Sequence, residues 1–534
     1  IRRPPRSTLS PSSAASDVYK RQLLIRNPDQ RTIQRIKSNI AKKYGLDTVP
    51  SNPDILKYSE GDKGRLRALL KLKPVRSISG IVILSVMTRP FECPHGRCVY
   101  CPRFPGAPVS YTGREPAAMR AIQNQFDPAL QIRARLRQLE DMGHYTQKIE
   151  LIIQGGTFNA TPDWYKEWFM KRIMEGILGH PISSYEDAIL EAEKSKYRLT
   201  GMTIETRPDQ TSKEQINWML EKGFTRVELG VQTLLDEVYE KVKRGHKIKD
   251  VIEATRRLKD AGFKVCYHMM PGLPDTNVKT DLSFFRSLFE NENFRPDMLK
   301  IYPTLVLEGT ELYEWWKSGV YKPYSTDEAS ELIELVKANF IPKWVRIMRV
   351  QRDIPVFEIA AGVKKSNLRE IVQMRLSRHG LSCRCIRCRE IGHKMIKGKI
   401  RKAIKPELTI TTYTASKGVE YFISVEDVNN DAIIGFIRLR KPSEEAWRPE
   451  ITSHETFIIR ELHVYGEALP LGLRLESSWQ HKGIGSILLK KAEEIAMEKG
   501  AEKIIVISGI GVREYYYKHG YFRDGPYVSK MLTK

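Results

Sequence analysis

The chain has 534 residues, and its 88 Lys and Arg against 64 Asp and Glu give a formal charge of +24. It is too long for one ordinary core, so we expect two or three domains. No run of about 18 apolar residues occurs, which excludes a transmembrane helix and makes a membrane an unexpected partner. The positive charge favours a partner that carries many phosphates, such as a nucleic acid.

The seven cysteines predict metal sites. Six of them fall into two tight clusters, a pattern typical of metal ligands in a reducing compartment and not of a disulfide framework. We therefore expect a cytoplasmic protein. The remaining cysteine, Cys266, is predicted to be a buried strand residue.

The first 80 residues divide into two segments. Residues 1–21 are rich in Arg, Ser and Pro, lack an initiator Met and show no periodicity, so we expect a disordered or non-native leader. Residues 22–80 are basic, with twelve Lys or Arg against four Asp or Glu between Arg31 and Arg76. This pattern favours a phosphate-binding surface, although a solvated amphipathic helix has the same pattern.

Residues 81–345 alternate between strand-like and helix-like runs. The strand-like runs are IVILSV, KIELIIQGGTF, MTIETRPD, RVELGVQ, KVCYHMMPGLP and LKIYPTLV. Such alternation predicts parallel strands in a partial (βα)6 barrel of the TIM type, with functional residues where the strands end.

Three cysteines follow the first predicted strand. Cys93, Cys98 and Cys101 lie in CPHGRCVYC. An isolated C-x2-C is more often half of a zinc knuckle, but the strand-helix alternation after it favours a [4Fe-4S] cluster. Three thiolates leave the fourth iron open for a small ligand, and S-adenosylmethionine is the expected one.

A second cysteine cluster lies in a basic linker, residues 346–408. Cys383, Cys385 and Cys388 are flanked by His379 and His393. Three thiolates and an imidazole suit a structural zinc ion, with His393 as the expected fourth ligand and His379 as its competitor. A second iron-sulfur cluster is the alternative.

Residues 409–534 are predicted to form a mixed α/β domain around the helix SILLKKAEEIAMEKG. The sequence QHKGIG, from Gln480 to Gly485, directly precedes that helix. A glycine-rich turn at a helix start presents free N–H groups to a pyrophosphate, although a G-x-G alone is a weak signal.

These motifs resemble those of known families. The cysteines followed by QGGTF, IETRPD, GVQ and HMMPGLP resemble the radical S-adenosylmethionine enzymes. RELHVYG followed by QHKGIG resembles the Gcn5-related N-acetyltransferase fold. Through strings such as SYTGREPAAMRAI, RVQRDIP and VISGIGVREYY, residues 22–534 resemble the Elongator catalytic-subunit family in its archaeal form.

The resemblance implies ligands for each cofactor. It assigns S-adenosylmethionine to Gly155, Gly156, Thr157, Glu205, Gln232 and His268, and acetyl-CoA to Lys148, Glu461, Leu462, His463, Val464, Gly483, Ile484, Gly485 and Ser486. Tyr515 and Tyr516 would lie near the thioester, where a phenol can protonate the leaving thiolate, with Lys148 beside them.

The resemblance also implies an activity. Radical chemistry on S-adenosylmethionine would activate the methyl group of acetyl-CoA, and its carbon would join C5 of the wobble uridine in a tRNA anticodon stem-loop to give 5-carboxymethyluridine. A protein lysine acetyltransferase with a structural barrel is the first alternative. The second is a tRNA-binding assembly subunit without turnover. A homodimer or further subunits stay open.

Overall fold

The computed structural model of this protein describes residues 29–58, 66, 69–400, 402–466 and 483–532. The predicted leader at residues 1–21 lies outside this part of the chain, as do Gln480, His481 and Lys482 of the glycine-rich turn. Within the described ranges, no helix is both long enough and apolar enough to cross a bilayer.

Two sheets dominate the fold. The first is a parallel half-barrel of seven strands. Its strands in spatial order are β1 (Val82–Met87), β2 (Lys148–Gln154), β3 (Arg198–Thr206), β4 (Arg226–Gln232), β5 (Lys264–Met269), β6 (Met298–Ile301) and β8 (Arg346–Arg349). The sequence predicted six of them. Strand β8 pairs with β6 and extends the sheet past residue 345, where the barrel was expected to end.

Helices cover the outer face of the half-barrel. Alternate residues Ile149, Leu151 and Ile153 of β2 are fully buried in the same apolar core as Phe169 and Ile173. The helices of this half of the chain whose bounds the structure describes are α1 (Gln30–Lys43), α2 (Asn52–Tyr58), α3 (Pro116–Gln123), α4 (Pro128–Asp141), α5 (Asp163–Leu178), α6 (Tyr185–Ala192), α7 (Lys213–Glu221), α8 (Asp236–Lys241), α9 (Ile248–Asp260), α10 (Val278–Glu290), α11 (Glu311–Lys317), α12 (Thr326–Asn339) and α13 (Leu368–Arg378).

The inner face of the same strands is charged. Because side chains alternate along a strand, Glu150, Glu205, Arg226, Glu228 and Lys300 share the face opposite to the apolar core. The interior of this half-barrel is therefore a polar surface on which chemistry can take place.

The second sheet belongs to the C-terminal domain. Its spatial order is β10 (Pro406–Ala415), β11 (Gly418–Asp427), β12 (Ala432–Lys441), β13 (Thr456–Val464), β14 (Lys503–Val506), β16 (Tyr527–Met531) and β15 (Phe522–Asp524). The short pair β7 (Val306–Leu307) and β9 (Ile359–Ala361) stands apart from both sheets. The remaining helices are α14 (Ile386–Arg389), α15 (Ile391–Ile396), α16 (Pro449–Thr452), α17 (Ile484–Glu498) and α18 (Arg513–Tyr517).

The C-terminal domain packs against the starting ends of the barrel strands. A Cβ added to Gly509 would lie 2.3 Å from the Thr200 backbone, and one added to Gly511 would lie 2.6 Å from Arg198 Cα. Only glycine allows this approach. The contact places the acetyltransferase-like domain at the end of the barrel opposite to the cysteines.

Candidate active site

The cluster cavity, defined by Cys93, Cys98, Cys101, Glu205 and His268, opens where the barrel strands end. Cys98 and Cys101 are buried and Cys93 is half-buried. Unlike the second cysteine cluster, these sulfurs are not all within 4.8 Å of one another. The wider spacing suits a group larger than a single ion, as a cubane cluster is.

A fixed positive charge lies beside Cys98. Arg244 Nη1 lies 3.6 Å from Cys98 Sγ, and His95 Nε2 lies 3.1 Å from the same sulfur. Burial, together with Arg207 and Arg244, lowers the pKa of His95 to about 4, so that imidazole is neutral at pH 7. The cavity wall therefore holds a permanent cation, Arg244, against the Cys98 sulfur, which fits an electron-rich cluster.

The turn after β2 brings backbone to the cavity. Gly155 and Gly156 have φ of +115° and +95°. A Cβ on Gly155 would lie 2.6 Å from Thr88 Oγ1, so this glycine is required for packing against the chain that follows β1. Gly156 and Thr157 line the cavity itself.

An ionic network fills the inner face of the sheet. Glu205 Oε1 accepts hydrogen bonds from Lys300 Nζ and Gln154 Nε2, both at 3.0 Å. His268 Nε2 lies 2.8 Å from Glu228 Oε2, which also pairs with Lys300. Burial alone would lower the pKa of Lys300, but Glu228 and then Glu205 raise it well above its usual value. Lys300 thus stays charged and fixes both carboxylates.

Gln232 closes the rim at the end of β4. Its φ of +73° turns the chain out of the strand, and its side chain lines the cluster cavity. The amide oxygen Oε1 is buried and has no hydrogen-bond partner among the described residues. A ligand with a donor group would satisfy it.

The acyl cavity lies at the opposite ends of the same strands. It is lined by every residue that the family resemblance assigned to acetyl-CoA: Lys148, Glu461, Leu462, His463, Val464, Gly483, Ile484, Gly485, Ser486, Tyr515 and Tyr516. Barrel and C-terminal domain both contribute walls, so the cavity is composite.

A split between two strands shapes this cavity. The β13–β14 ladder ends at the Ile459–Val506 pair, whereas β13 continues to Val464. The backbone from Arg460 to His463 continues past the end of this ladder and can bind an amide-containing arm. Helix α17 begins beside them with Gly483 at φ +82° and no side-chain cap, which leaves N–H groups for a phosphate.

Two tyrosines lie beside the helix start. A Cβ on Gly485 would lie 2.9 Å from the Tyr515 hydroxyl, so the glycine permits this approach. That hydroxyl is buried and finds no partner in the described part of the chain. Burial raises the pKa of both Tyr515 and Tyr516, which keeps each phenol protonated and able to donate.

Lys148 begins β2 on the barrel side of the acyl cavity. Burial lowers its pKa to about 8, so the amine is largely charged at pH 7 and loses its charge as pH rises through 8.

An ion pair lies at the boundary where the two cavities meet. Arg226 lines the acyl cavity and Glu228 lines the cluster cavity. Arg226 Nε lies 3.3 Å from Glu228 Oε1. The two candidate sites therefore meet inside the half-barrel.

The second cysteine cluster is compact. The sulfurs of Cys383, Cys385 and Cys388 all lie within 4.8 Å of one another, which suits a single metal ion. The expected imidazoles lie apart from this group: His379 Nδ1 is hydrogen-bonded to Glu334, and His393 Nε2 lies 3.9 Å from Glu390 Oε2.

The side chain beside the second cysteine cluster is a lysine and not one of the expected histidines. Lys337 Nζ lies 3.5 Å from Cys388 Sγ. The sequence prediction of a histidine ligand rested on proximity along the chain, and the helix that carries His393 turns it toward Glu390 instead.

Sequence reasoning missed several site residues. Arg226, Glu228, Lys300 and Arg244 all line or connect the cavities. A signal was present in RVELGVQ, where charged residues two apart alternate with valine and leucine. That alternation indicates one charged face in a strand that is otherwise buried.

Comparison with known proteins identifies the class. Residues 90–286 match the Radical SAM superfamily, residues 296–378 its C-terminal domain, and residues 400–521 the acetyltransferase (GNAT) family. Residues 13–78 match the ELP3 N-terminal domain, which begins inside the segment expected to be a leader. The chain therefore combines a radical S-adenosylmethionine half-barrel with a Gcn5-related acetyltransferase domain.

Relatives over the full length identify the family. The chain is 50% identical over 514 residues to the tRNA uridine(34) acetyltransferase of Methanocaldococcus jannaschii, covering 94% of each chain. It is 44% identical over 512 residues to human Elongator complex protein 3, covering 94% of this chain and 93% of the relative. The structure of Methanocaldococcus infernus Elp3 lacking residues 1–46 superposes with a TM-score of 0.76 at 47% identity, over 85% of this chain and all of that one.

The chain belongs to the family of tRNA uridine(34) acetyltransferases and Elongator complex protein 3. It is an enzyme of that family.

Proposed function

We propose that the protein converts the wobble uridine of tRNA to 5-carboxymethyluridine, with acetyl-CoA as the carbon source. The observation that carries this proposal is the meeting of the acyl and cluster cavities at the Arg226–Glu228 pair inside one half-barrel. An acetyltransferase that used its barrel only as a scaffold would have no need for this connection.

The cluster cavity is the site for radical chemistry. When bound, a [4Fe-4S] cluster at Cys93, Cys98 and Cys101 would supply the electron for reductive cleavage of S-adenosylmethionine. The residues on this wall that would hold the co-substrate are Gly156, Thr157, Glu205, Gln232 and His268. Glu205 and His268 are oriented in advance by Lys300 and Glu228, so little side-chain freedom is lost on binding.

The acyl cavity would hold the acetyl thioester. Gly483 to Ser486 at the start of α17 would bind the pyrophosphate, and Leu462 to Val464 the amide-bearing arm. When water hydrolyses the thioester to the carboxylate, Tyr515 and Tyr516, both protonated, would donate to the coenzyme A thiolate that leaves, with Lys148 beside them.

The acyl cavity is a poor site for acetylating an amine. Its two carboxylates are paired: Glu461 accepts from Arg438 at 2.8 Å, and Glu150 pairs with Arg226. Burial opposes ionisation of Glu461, but Arg438 and Lys264 still hold its pKa below its usual value. Such a carboxylate is a weak base, which disfavours the protein lysine acetyltransferase alternative.

The basic N-terminal helix would bind tRNA phosphates. Helix α1 buries Ile33 and Ile40, and it exposes Arg31, Arg35 and Lys42 on the opposite side. One exposed basic stripe on a firmly packed helix is suited to a polyanion.

Cys383, Cys385 and Cys388 would hold one zinc ion in the linker, with a ligand other than His379 or His393 in the fourth position. The ion would bridge α13 and α14 beside the seventh strand and so keep the two domains in register. Seven free cysteines accord with a reducing compartment, and we propose the cytoplasm.

Nucleoside mass spectrometry tests the activity. The reconstituted protein is incubated without oxygen with tRNA, acetyl-CoA, S-adenosylmethionine and dithionite, and 5-carboxymethyluridine should appear only when both co-substrates are present. Cys98→Ser should abolish the product, whereas Ser453→Ala, which changes an exposed residue that lines neither cavity, should retain it. Acetylation of protein lysines by both variants, without modified uridine, would favour the acetyltransferase alternative.

A further inference from the structure

Phe357 is an exposed aromatic side chain on a short turn beside the cluster cavity. It is 73% exposed, more than any other large hydrophobic side chain in the described part of the chain. It lies in one turn of 3-10 helix, Val356–Glu358, directly before β9. Ile354 and Ile359, on either side of this turn, are buried in the barrel core. The turn is therefore anchored at both ends, and the ring is presented to solvent from a fixed support.

Contacts to a facing loop place Phe357 at the rim of the cluster cavity. Arg352 and Asp353, just before the turn, line that cavity, and so does Ser110 on the facing loop. Arg352 donates a hydrogen bond to the Ser110 carbonyl oxygen. Arg114, four residues further along the facing loop, pairs with Glu358 at 2.9 Å. The two segments are thus joined both before and after Phe357, so its ring lies where the cavity opens.

Arginine side chains flank the Phe357 ring. The Arg114 guanidinium lies 5.6 Å from the ring centroid, and its side chain is 64% exposed. Arg352 lies 5.9 Å from the centroid of the Tyr111 ring and forms no ion pair with any residue that the structure describes. An exposed ring beside positive charge suits a partner with flat apolar groups on an anionic backbone. Single-stranded RNA has this chemistry, since its bases stack on aromatic side chains and its phosphates pair with arginine.

We propose that Phe357 stacks on a base next to the wobble uridine while that uridine occupies the cluster cavity. This inference rests on the proposed function and adds a residue that positions the RNA. A base that enters an enclosed site leaves its neighbours unstacked at the mouth, and unstacking costs free energy. Phe357 replaces the lost stacking for one of these neighbours, and the adjoining guanidinium groups pair with its phosphates.

Binding of hairpin RNA tests the inference without iron or turnover. Fluorescence anisotropy measures the affinity of the full-length protein for a labelled tRNA anticodon stem-loop. Phe357→Ala should weaken binding about tenfold, within the range for loss of one stacked base, whereas Phe357→Trp should retain the wild-type affinity. Because no charge changes, the slope of log affinity against log salt should stay the same. Equal affinities of the wild-type protein and Phe357→Ala would overturn the inference.

Hairpins that lack one base locate the contact. Two further RNAs each lack the base of one nucleotide beside the wobble uridine but keep the backbone. The wild-type protein should bind one of them about tenfold more weakly than the intact hairpin. With that RNA, Phe357→Ala should show no further loss, because the partner of the ring is already missing. If Phe357→Ala weakened binding of both abasic hairpins as much as binding of the intact one, the ring would contact neither flanking base.

Phe522→Ala is the matched control. Phe522 is 49% exposed on the edge strand β15 of the second sheet, and it lines neither cavity. Its replacement should leave the affinity for the hairpin unchanged, and an equal loss in this variant would contradict a specific contact at Phe357. Phe357→Ala should keep the wild-type affinity for acetyl-CoA, which checks that the variant is folded.

The outcomes separate the failure of this contact from that of the proposed function. If the wild-type protein binds the hairpin and Phe357→Ala binds it equally well, only the stacking contact is wrong. If the wild-type protein binds no hairpin, the proposed tRNA activity fails together with it. A change in oligomeric state in Phe357→Ala, measured by sedimentation, with unchanged affinity for the hairpin would instead identify Phe357 as a contact between protein chains.

Discussion

Arg460 Nη2 donates to Asp297 Oδ1 at 2.7 Å, and both side chains are fully buried between the two sheets. Arg460 belongs to β13 of the C-terminal domain, whereas Asp297 precedes β6 of the barrel. Glu420 accepts a second bond from Arg460, also at 2.7 Å. The domain boundary is therefore built from buried ionised groups that neutralise one another across it.

Removing Arg460 should weaken the whole protein. Arg460→Leu leaves Asp297 and Glu420 buried with less compensation, and we expect a loss of about 3–5 kcal/mol in the free energy of unfolding. Denaturation in urea measures the free energy of unfolding of each variant. Lys417→Ala is the control, because the Lys417–Glu445 pair is exposed, and it should cost less than about 1 kcal/mol. Similar losses in both variants would contradict this account of the boundary.

Acetyl-CoA affinity should depend on pH through Lys148. Its pKa of about 8 means that the amine loses its charge between pH 7 and pH 9. We expect affinity for the anionic coenzyme to fall over that range. Lys148→Arg keeps its charge there and should show a flatter profile. Parallel profiles for the two proteins, measured by calorimetry, would exclude Lys148 as the titrating group.

Gly155→Ala should damage the turn beside the cluster cavity. The added Cβ would contact Thr88 Oγ1 at 2.6 Å and hold φ at +115°. We expect about 2–5 kcal/mol of destabilisation from overpacking and backbone strain together, with loss of iron binding. Gly179→Ala provides the comparison, since its φ is +94° but no atom lies within 4 Å of the new Cβ, and it should lose only about 1–2 kcal/mol.

Arg244 should control iron loading. Arg244→Gln removes the fixed cation next to Cys98, and we expect a 10–100-fold weaker retention of iron, about the effect of losing an outer-shell partner. Arg244→Lys keeps the positive charge but lacks the planar guanidinium group, and it should retain iron better than Arg244→Gln. Iron content after dialysis against a chelator measures the effect, and an unchanged content in Arg244→Gln would show that the guanidinium does not stabilise the cluster.

The exposed basic stripe of α1 should set the salt dependence of tRNA binding. Replacing Arg31, Arg35 and Lys42 with glutamine should weaken tRNA binding and lower the slope of log affinity against log salt by about one for each phosphate that the helix no longer neutralises. The same changes should leave acetyl-CoA binding intact, because no residue of α1 lines the acyl cavity. An unchanged slope would place the tRNA surface elsewhere.

Local motifs were enough to predict six strands of the half-barrel, and the family resemblance predicted residues that line the acyl cavity. The glycine turns, the cysteine spacing and the strand periodicity are properties of neighbouring residues, so the sequence displays them directly. The family resemblance then connected Lys148 at the start of β2 with Gly483 to Ser486, which lie more than 300 residues later.

Contacts between distant segments were not predictable in the same way. The seventh strand, Arg346–Arg349, is short and basic, and only its pairing with β6 reveals it as part of the sheet. His393 follows Cys388 closely in sequence, but a helical turn directs it to Glu390. The partners of Arg226 are set by the packing of three strands, which no single segment encodes.

Strand β4 has further significance because its first residue, Arg226, borders the acyl cavity and its last, Gln232, borders the cluster cavity. Six steps along a strand span about 20 Å. The sheet thus fixes the distance between the two cavities, and this distance does not change when loops rearrange. Lengthening the linker after β8 should therefore leave the distance between the sites unaltered, whereas inserting residues within β4 should separate the two activities.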